Sequence, residues 1–267
     1  MAESLRAYFV IVAMWVRSAM VYRTSFVLLT VGQFVITGLD FVTVGIMFTH
    51  THTLGGYTLP EVAFLYASSS FALGMADLLC GNVDRLGRRV RDGSFDVMLI
   101  RPVAPIVQMS ADRFELRRLG RISQASVVLV WSMTRLPVHW TADRIVLVPV
   151  MLISGTAIFC AIFVFGAAFQ FLSTDASEVV NAFTYGGNFL TQYPPTIFAR
   201  ELVRGATLIV PLGFVNWMPA LHILGRPMPA GIPAFLQYGS PIVAVLLGAV
   251  AGWVWQAGIR SYRSTGS

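Results

Sequence analysis

The chain has 267 residues, 56% hydrophobic and only 12% charged, with a formal net charge of +6. An ordinary soluble domain carries roughly 25% charged residues, so this composition excludes one and implies an all-α polytopic membrane protein, with apolar runs near the roughly 20 residues that cross a bilayer. All 19 basic residues are arginine; without a lysine the chain lacks the G-x-x-x-x-G-K-[ST] phosphate loop and has no such motif with which to hydrolyse nucleotide.

In chain order, segment 3–23 is apolar but interrupted by Arg6 and Arg17. Those arginines lie close to three helical turns apart and share a face, with Phe9, Val12 and Trp15 opposite. The pattern predicts an interfacial elbow helix, an irregular first span being the alternative. No cleavable signal sequence is expected there. Segment 25–48 predicts the first span, with Asp40 as its one ionisable group. Segment 59–80 predicts the second, opened by Pro60 and Glu61. The third, 122–136, is short unless it begins among Arg117–Arg121 with the arginines snorkelling. The fourth covers 145–172. The fifth, 179–192, stops at Tyr193, Pro194 and Pro195, where two prolines remove backbone donors. Segment 196–222 is hydrophobic but broken by Arg200, Glu201, Arg204, Pro211 and Pro219. It predicts short re-entrant helices under protein cover, or one Pro-kinked span. The sixth span covers 237–259. One transmembrane domain, 1–267, is expected.

Between spans two and three lies a charged insert, 82–121. Nine arginines fall between 85 and 121. With six alternating spans they share a side with Arg6, Arg17, Arg23, Arg260 and Arg263, and the positive-inside rule places the insert and both termini in the cytoplasm. Asp84 and Arg88 stand at i, i+4 on a short helix. Gly93 is placed to end it in a left-handed turn. Ser94 caps a second short helix with Asp96 in its first turn. That helix is expected to display Phe95, Met98 and Leu99 before Pro102. Exposed apolar groups rimmed by charge predict a docking surface; topology setting and anionic-lipid binding is the plainer reading. Nucleic acid is not an expected partner, because Asp84, Asp92, Asp96, Asp112 and Glu115 interleave with the arginines.

The insert V-R-D-G-S-F-D-V-M-L-I-R-P resembles the cytoplasmic coupling segment of bacterial type-2 ATP-binding-cassette (ABC) transporter permeases. It is most similar to the subgroup with the motif V-R-x-G-x-F-D-x-x-L-x-R-P, matched here by Val90, Arg91, Gly93, Phe95, Asp96, Leu99, Arg101 and Pro102. YPPTIF at 193–198, VPLGFVNWMP at 210–219 (with Trp217 where tyrosine is more usual) and the tail YRSTGS at 262–267 resemble three further motifs of that subgroup. The resemblance covers essentially the whole chain. It implies six membrane helices, the elbow and re-entrant helices, and a second permease, identical or paralogous. It also implies two separate ABC ATPase subunits carrying the ATP and magnesium, so this chain itself holds no cofactor and is no enzyme. The location implied is the bacterial cytoplasmic membrane.

On that reading Arg88, Arg91, Asp92, Gly93, Phe95, Asp96, Leu99, Arg101 and Pro102 dock an ATPase subunit. Asp40, Phe169, Tyr185 and Phe189 are candidates for a substrate path, Asp40 being either a cation-attracting group or a hydrogen-bonded helix contact. Tyr193, Pro194, Pro211, Asn216 and Pro219 mark the re-entrant region. Asp77 is expected to meet an arginine of the insert. Cys80 and Cys160 read as small buried hydrophobes, and His50 with His52 lack further metal ligands. A small hydrophobic or cationic amphipathic cargo moving outward is favoured over a lipid or glycolipid. An ATP-independent carrier would carry paired broken helices in both halves, and only the second half shows a strongly broken region.

Overall fold

The computed structural model describes residues 2–112, 114–172, 177–229 and 232–263. Arg113, most of the loop expected between spans four and five, and the last four residues of the YRSTGS tail lie outside these. Every named element is helical: α1 (Ala2–Val21), α2 (Arg23–His50), α3 (Leu59–Cys80), α4 (Leu86–Arg91), α5 (Ser94–Leu99), α6 (Pro105–Ala111), α7 (Leu119–Arg135), α8 (Ala142–Phe169), α9 (Ser177–Thr191), α10 (Arg200–Leu208), α11 (Trp217–Ile223) and α12 (Ser240–Ser261).

Four of these helices, α2, α3 (continuing into α4), α8 and α12, are long and apolar enough to cross a membrane. A fifth joins them if α10 and the segment Leu212–Ile223, bent by 79° at a short break, count as one span. α7 begins at Leu119, inside the arginine run, yet reaches only 17 residues, and α9 has 15; both are shorter and more polar than the other four, with Arg121, Gln124 and Arg135 in α7 and Glu178, Asn181 and Asn188 in α9.

α3 is the axis of the fold. It packs against α7, α8 and α9, and 83% of its most apolar stretch is buried, against 11% for α2 and 17% for α12. The sequence explains this. Ala63, Ala67, Ser68, Ser69, Ser70, Ala72, Gly74 and Ala76 give α3 a thin profile, and small residues let membrane helices approach closely. α2 is bulky and outward-facing, with Leu28, Val35, Ile36 and Leu39 exposed. It approaches α7 through Gly120, where a Cβ would overlap the Thr30 carbonyl oxygen.

The start of α3 is fixed by a capping box. The Glu61 carboxylate accepts from the Thr58 backbone N–H (2.8 Å) and hydroxyl (2.8 Å). Glu61 also binds Arg226, just beyond α11, through both oxygens (2.8 and 2.7 Å). The Arg226 guanidinium stacks on Tyr57, 4.7 Å from its ring centre. This cluster staples the α2–α3 loop to the far end of α11. α1 packs against α6, and the Tyr8 hydroxyl donates to the Leu79 carbonyl (3.1 Å), holding α1 across the charged end of α3.

Candidate functional site

The charged insert packs against the ends of the long helices. α3 runs through a 3-10 turn, Gly81–Arg85, into α4. The Asp84–Arg88 pair expected from i, i+4 spacing does not form. Asp84 lies in the 3-10 turn and Arg88 in α4, so the α-helical register that would stack them is broken. Gly93 does take the left-handed conformation (φ 71°) that ends α4. The cap of α5 differs from expectation. Ser94 is the first residue of α5, and Asp92 accepts from its amide (3.0 Å) and hydroxyl (2.6 Å). The Ser94 hydroxyl, then its amide, hold the Asp92 carboxyl below the ordinary range.

The largest correction concerns Phe95. Expected on display, its ring is 0% exposed, and Met98 is buried with it. Phe95 packs edge-on to Phe171 (ring centres 5.4 Å apart) and Tyr262 (5.2 Å). Phe171 also meets Trp255 of α12 (5.5 Å). Such pairs contribute about 0.5–1.5 kcal/mol each beyond their burial. The Tyr262 hydroxyl donates to Asp96 (2.9 Å); burial, then the Asp96 carboxylate, push the phenol pKa up, so the hydroxyl keeps its proton. The apolar residues of α5 and the Ile100 that follows it therefore divide cleanly. Phe95 and Met98 face the bundle, while Val97, Leu99 and Ile100 (84% exposed) face out. Arg88, Arg91, Arg101 and Pro102 lie on the exposed surface beside them.

Four polar ties complete the insert. The Gly87 N–H donates to the Gln170 side chain at the end of α8 (2.6 Å). Gln108 of α6 donates to the Met98 (2.9 Å) and Val103 (2.6 Å) carbonyls, closing the turn after α5. Arg118 pairs with Asp77 (3.3 Å) and donates to Asn82 (3.1 Å), locking the insert's far end to α3. Arg89 pairs with Asp112. The expected meeting of Asp77 with an insert arginine is thus observed. Gln170 and Gln108 were not foreseen; a glutamine between Phe169 and Phe171 at the end of an apolar run is the signal that could have marked one of them.

The model of the ABC-2 family transporter proteins matches the chain over residues 34–266. The chain belongs to the ABC-2 transporter family. It is a permease component, the membrane part that pairs with an ABC ATPase. No curated protein and no solved structure matches the chain.

The permease's proposed path residues do not converge. Asp40 lies on the exposed face of α2. Phe169 lines an apolar cavity of about 460 Å³ with Phe165, Phe183 and Pro211. Tyr185 borders a separate polar chamber, and Phe189 is exposed against Tyr193 (5.3 Å). The 193–219 region does converge. Asn216 is fully buried and donates to the carbonyls of Leu65 (2.9 Å) and Thr191 (3.0 Å). Trp217 donates its indole N–H to the Tyr193 carbonyl (2.9 Å). Pro194 and Pro219 are buried beside them. The Thr191 carbonyl, which Pro195 leaves without an amide donor four residues on, is thereby satisfied.

Proposed function

We propose that this permease exports a small hydrophobic or cationic amphipathic compound from a bacterial cytoplasmic membrane, as one of two permease chains served by two ABC ATPase subunits. α7 and α9 complete a set of six spans, with α1 as the interfacial elbow and α10–α11 re-entrant. Both termini and the insert are cytoplasmic. ATP and magnesium belong to the ATPase subunits.

One observation carries the reading: Val97 and Leu99 of α5, with Ile100 just after it, are exposed, while Phe95 and Asp96 staple the other side of α5 to the ends of α8 and α12. A push on the outer side is delivered to two spans at once, because close-packed interiors transmit displacement rather than absorb it. Arg88, Arg91 and Arg101 set register against the partner by charge, and the apolar trio supplies the contact energy. The uncovered faces of α2 and α12 fit lipid and the second permease.

The test is affinity purification from native membrane with identification of the co-purifying chains. A stoichiometric ATPase that is lost with Ile100→Asp supports the reading. An intact complex with Ile100→Asp, or transport without any ATPase, overturns it.

A further inference from the structure

Where α3, α7 and α9 end against the insert, a polar chamber of about 230 Å³ opens. That is smaller than the roughly 300–1,000 Å³ of pockets that enclose drug-sized molecules, so it suits a headgroup rather than a cargo. Three of its arginines are engaged by carboxylates. Arg85 (3.2 Å) and Arg117 (2.8 Å) bind Glu115, and Arg118 binds Asp77. Arg121 has no carboxylate partner among the described residues. Its Nη1 is buried without a hydrogen-bond partner, and the guanidinium stands 6.0 Å from the Tyr185 ring centre. Its stem runs beside Gly74, where a Cβ would stand in ordinary contact with Arg121 Cδ (3.5 Å). A second orphan borders the same chamber: Asp84 Oδ1 is buried with no donor.

A buried guanidinium nitrogen left unpaired is costly, and its best partners are the paired oxygens of phosphate or carboxylate. Arg121 lies in the first turn of α7, at the edge of the arginine run. Gln33 brings α2 to the chamber wall, and the uncovered apolar face of α2 offers a bed for acyl chains. Asp84 Oδ1 is placed to accept from a hydroxyl or ammonium on the same headgroup. We infer that Arg121 and the chamber around it bind a phosphate group, supplied by a phospholipid headgroup or by free phosphate. The proposed topology enters only in assigning this end to the cytoplasmic leaflet.

The test uses the full-length permease with its co-purified ATPase, in detergent, by native mass spectrometry. The probes are dioctanoyl phosphatidylglycerol, dioctanoylglycerol and inorganic phosphate. Wild type is expected to hold the phospholipid about tenfold more tightly than dioctanoylglycerol, and Arg121→Gln to lose about that factor, as for one charge-assisted hydrogen-bonding group. Arg135→Gln, at the other end of α7, stays at wild type. Arg121→Lys keeps the charge without the planar fork and falls between, which covers poor folding of the glutamine variant. Inorganic phosphate binding in an Arg121-dependent way, with no gain from the acyl chains, keeps the site and assigns it to free phosphate. Equal binding of phosphatidylglycerol and dioctanoylglycerol together with no Arg121-dependent binding of inorganic phosphate, or unchanged binding by both Arg121 variants, overturns the inference. ATPase retention is scored on the same samples: its loss with phosphate binding intact counts against the permease reading alone.

Discussion

The ring of Phe95 stands edge-on to Tyr262, centres 5.2 Å apart and planes at 87°, and the same tyrosine donates its hydroxyl to the next residue, Asp96. Two adjacent side chains of a short insert helix are thus fastened to the end of the last long helix. Docking and transmission fall on opposite faces of α5, and this makes them separable by mutation.

Phe95→Ala removes a fully buried ring, a change that costs about 3–5 kcal/mol in a packed core. Here the cost is borne by the insert's attachment. The variant is expected to retain its ATPase subunit on affinity purification, yet to lose most transport-coupled ATP turnover. Leu99→Asp has the reverse pattern: stability changes by less than about 0.5 kcal/mol, as for an exposed site, and the ATPase is lost. Identical behaviour of the two variants would refute the division of α5 into two faces.

This division was illegible in the sequence for a physical reason. Phe95, Val97 and Leu99 are all apolar, and local spacing does not say which face is covered. The residue that decides it, Tyr262, is 166 positions from Asp96. Four of the expected spans, α2, α3, α8 and α12, were legible because bilayer thickness imposes a length, and the Gly93 turn was legible because its conformation is local. The Asp77–Arg118 pair could be anticipated, since a carboxylate at the end of an apolar helix needs a nearby cation. The ladder around Asn216 could be located by its motif but not drawn, as its carbonyl partners come from Leu65 and Thr191.

Glu115 gives the insert an acid-sensitive joint. Burial opposes its ionisation, but the Arg117 hydrogen bond and the charges of Arg118, Arg117 and Arg85 outweigh that and hold its pKa below the usual 4.5. A lowered acid pKa contributes stability that is present above the unfolded value and is lost as pH falls through the folded one. Thermal stability in detergent is therefore expected to fall as pH drops below 4.5. Glu115→Gln should be less stable at neutral pH and show a flatter acid limb; an unchanged limb would remove Glu115 from the network.

Gly120 sets the distance between α2 and α7. A Cβ there would overlap the Thr30 carbonyl oxygen and lie 2.9 Å from Gln33 Cβ. Backbone cannot yield as a side chain can, so Gly120→Ala is expected to cost about 1–3 kcal/mol, the usual range for overpacking. The larger Gly120→Val should part the helices outright. Cysteine crosslinking between positions 30 and 123 in each background reports the separation; equal yields in wild type and Gly120→Val would show that the contact does not hold α2 in place.

The cluster of Arg226, Glu61 and Tyr57 closes the opposite end of the bundle. Glu61 serves two purposes at once, capping α3 and binding Arg226 through both oxygens. Arg226→Gln leaves that carboxylate capped but without its cation, and a part-exposed pair of this kind is expected to lose about 2 kcal/mol, below the 3–5 of a fully buried one. At the usual conversion for a chain of this size that is a fall in Tm of about 5 °C. Arg226→Lys should recover less than half of it, because an ammonium reproduces neither the forked contact with Glu61 nor the flat stacking on Tyr57. Glu61→Gln should cost more than Arg226→Gln, since it weakens the helix cap as well. Were the two glutamine variants to unfold at the same temperature, the cap and the ion pair would not be independent, and the double variant would then show no further loss.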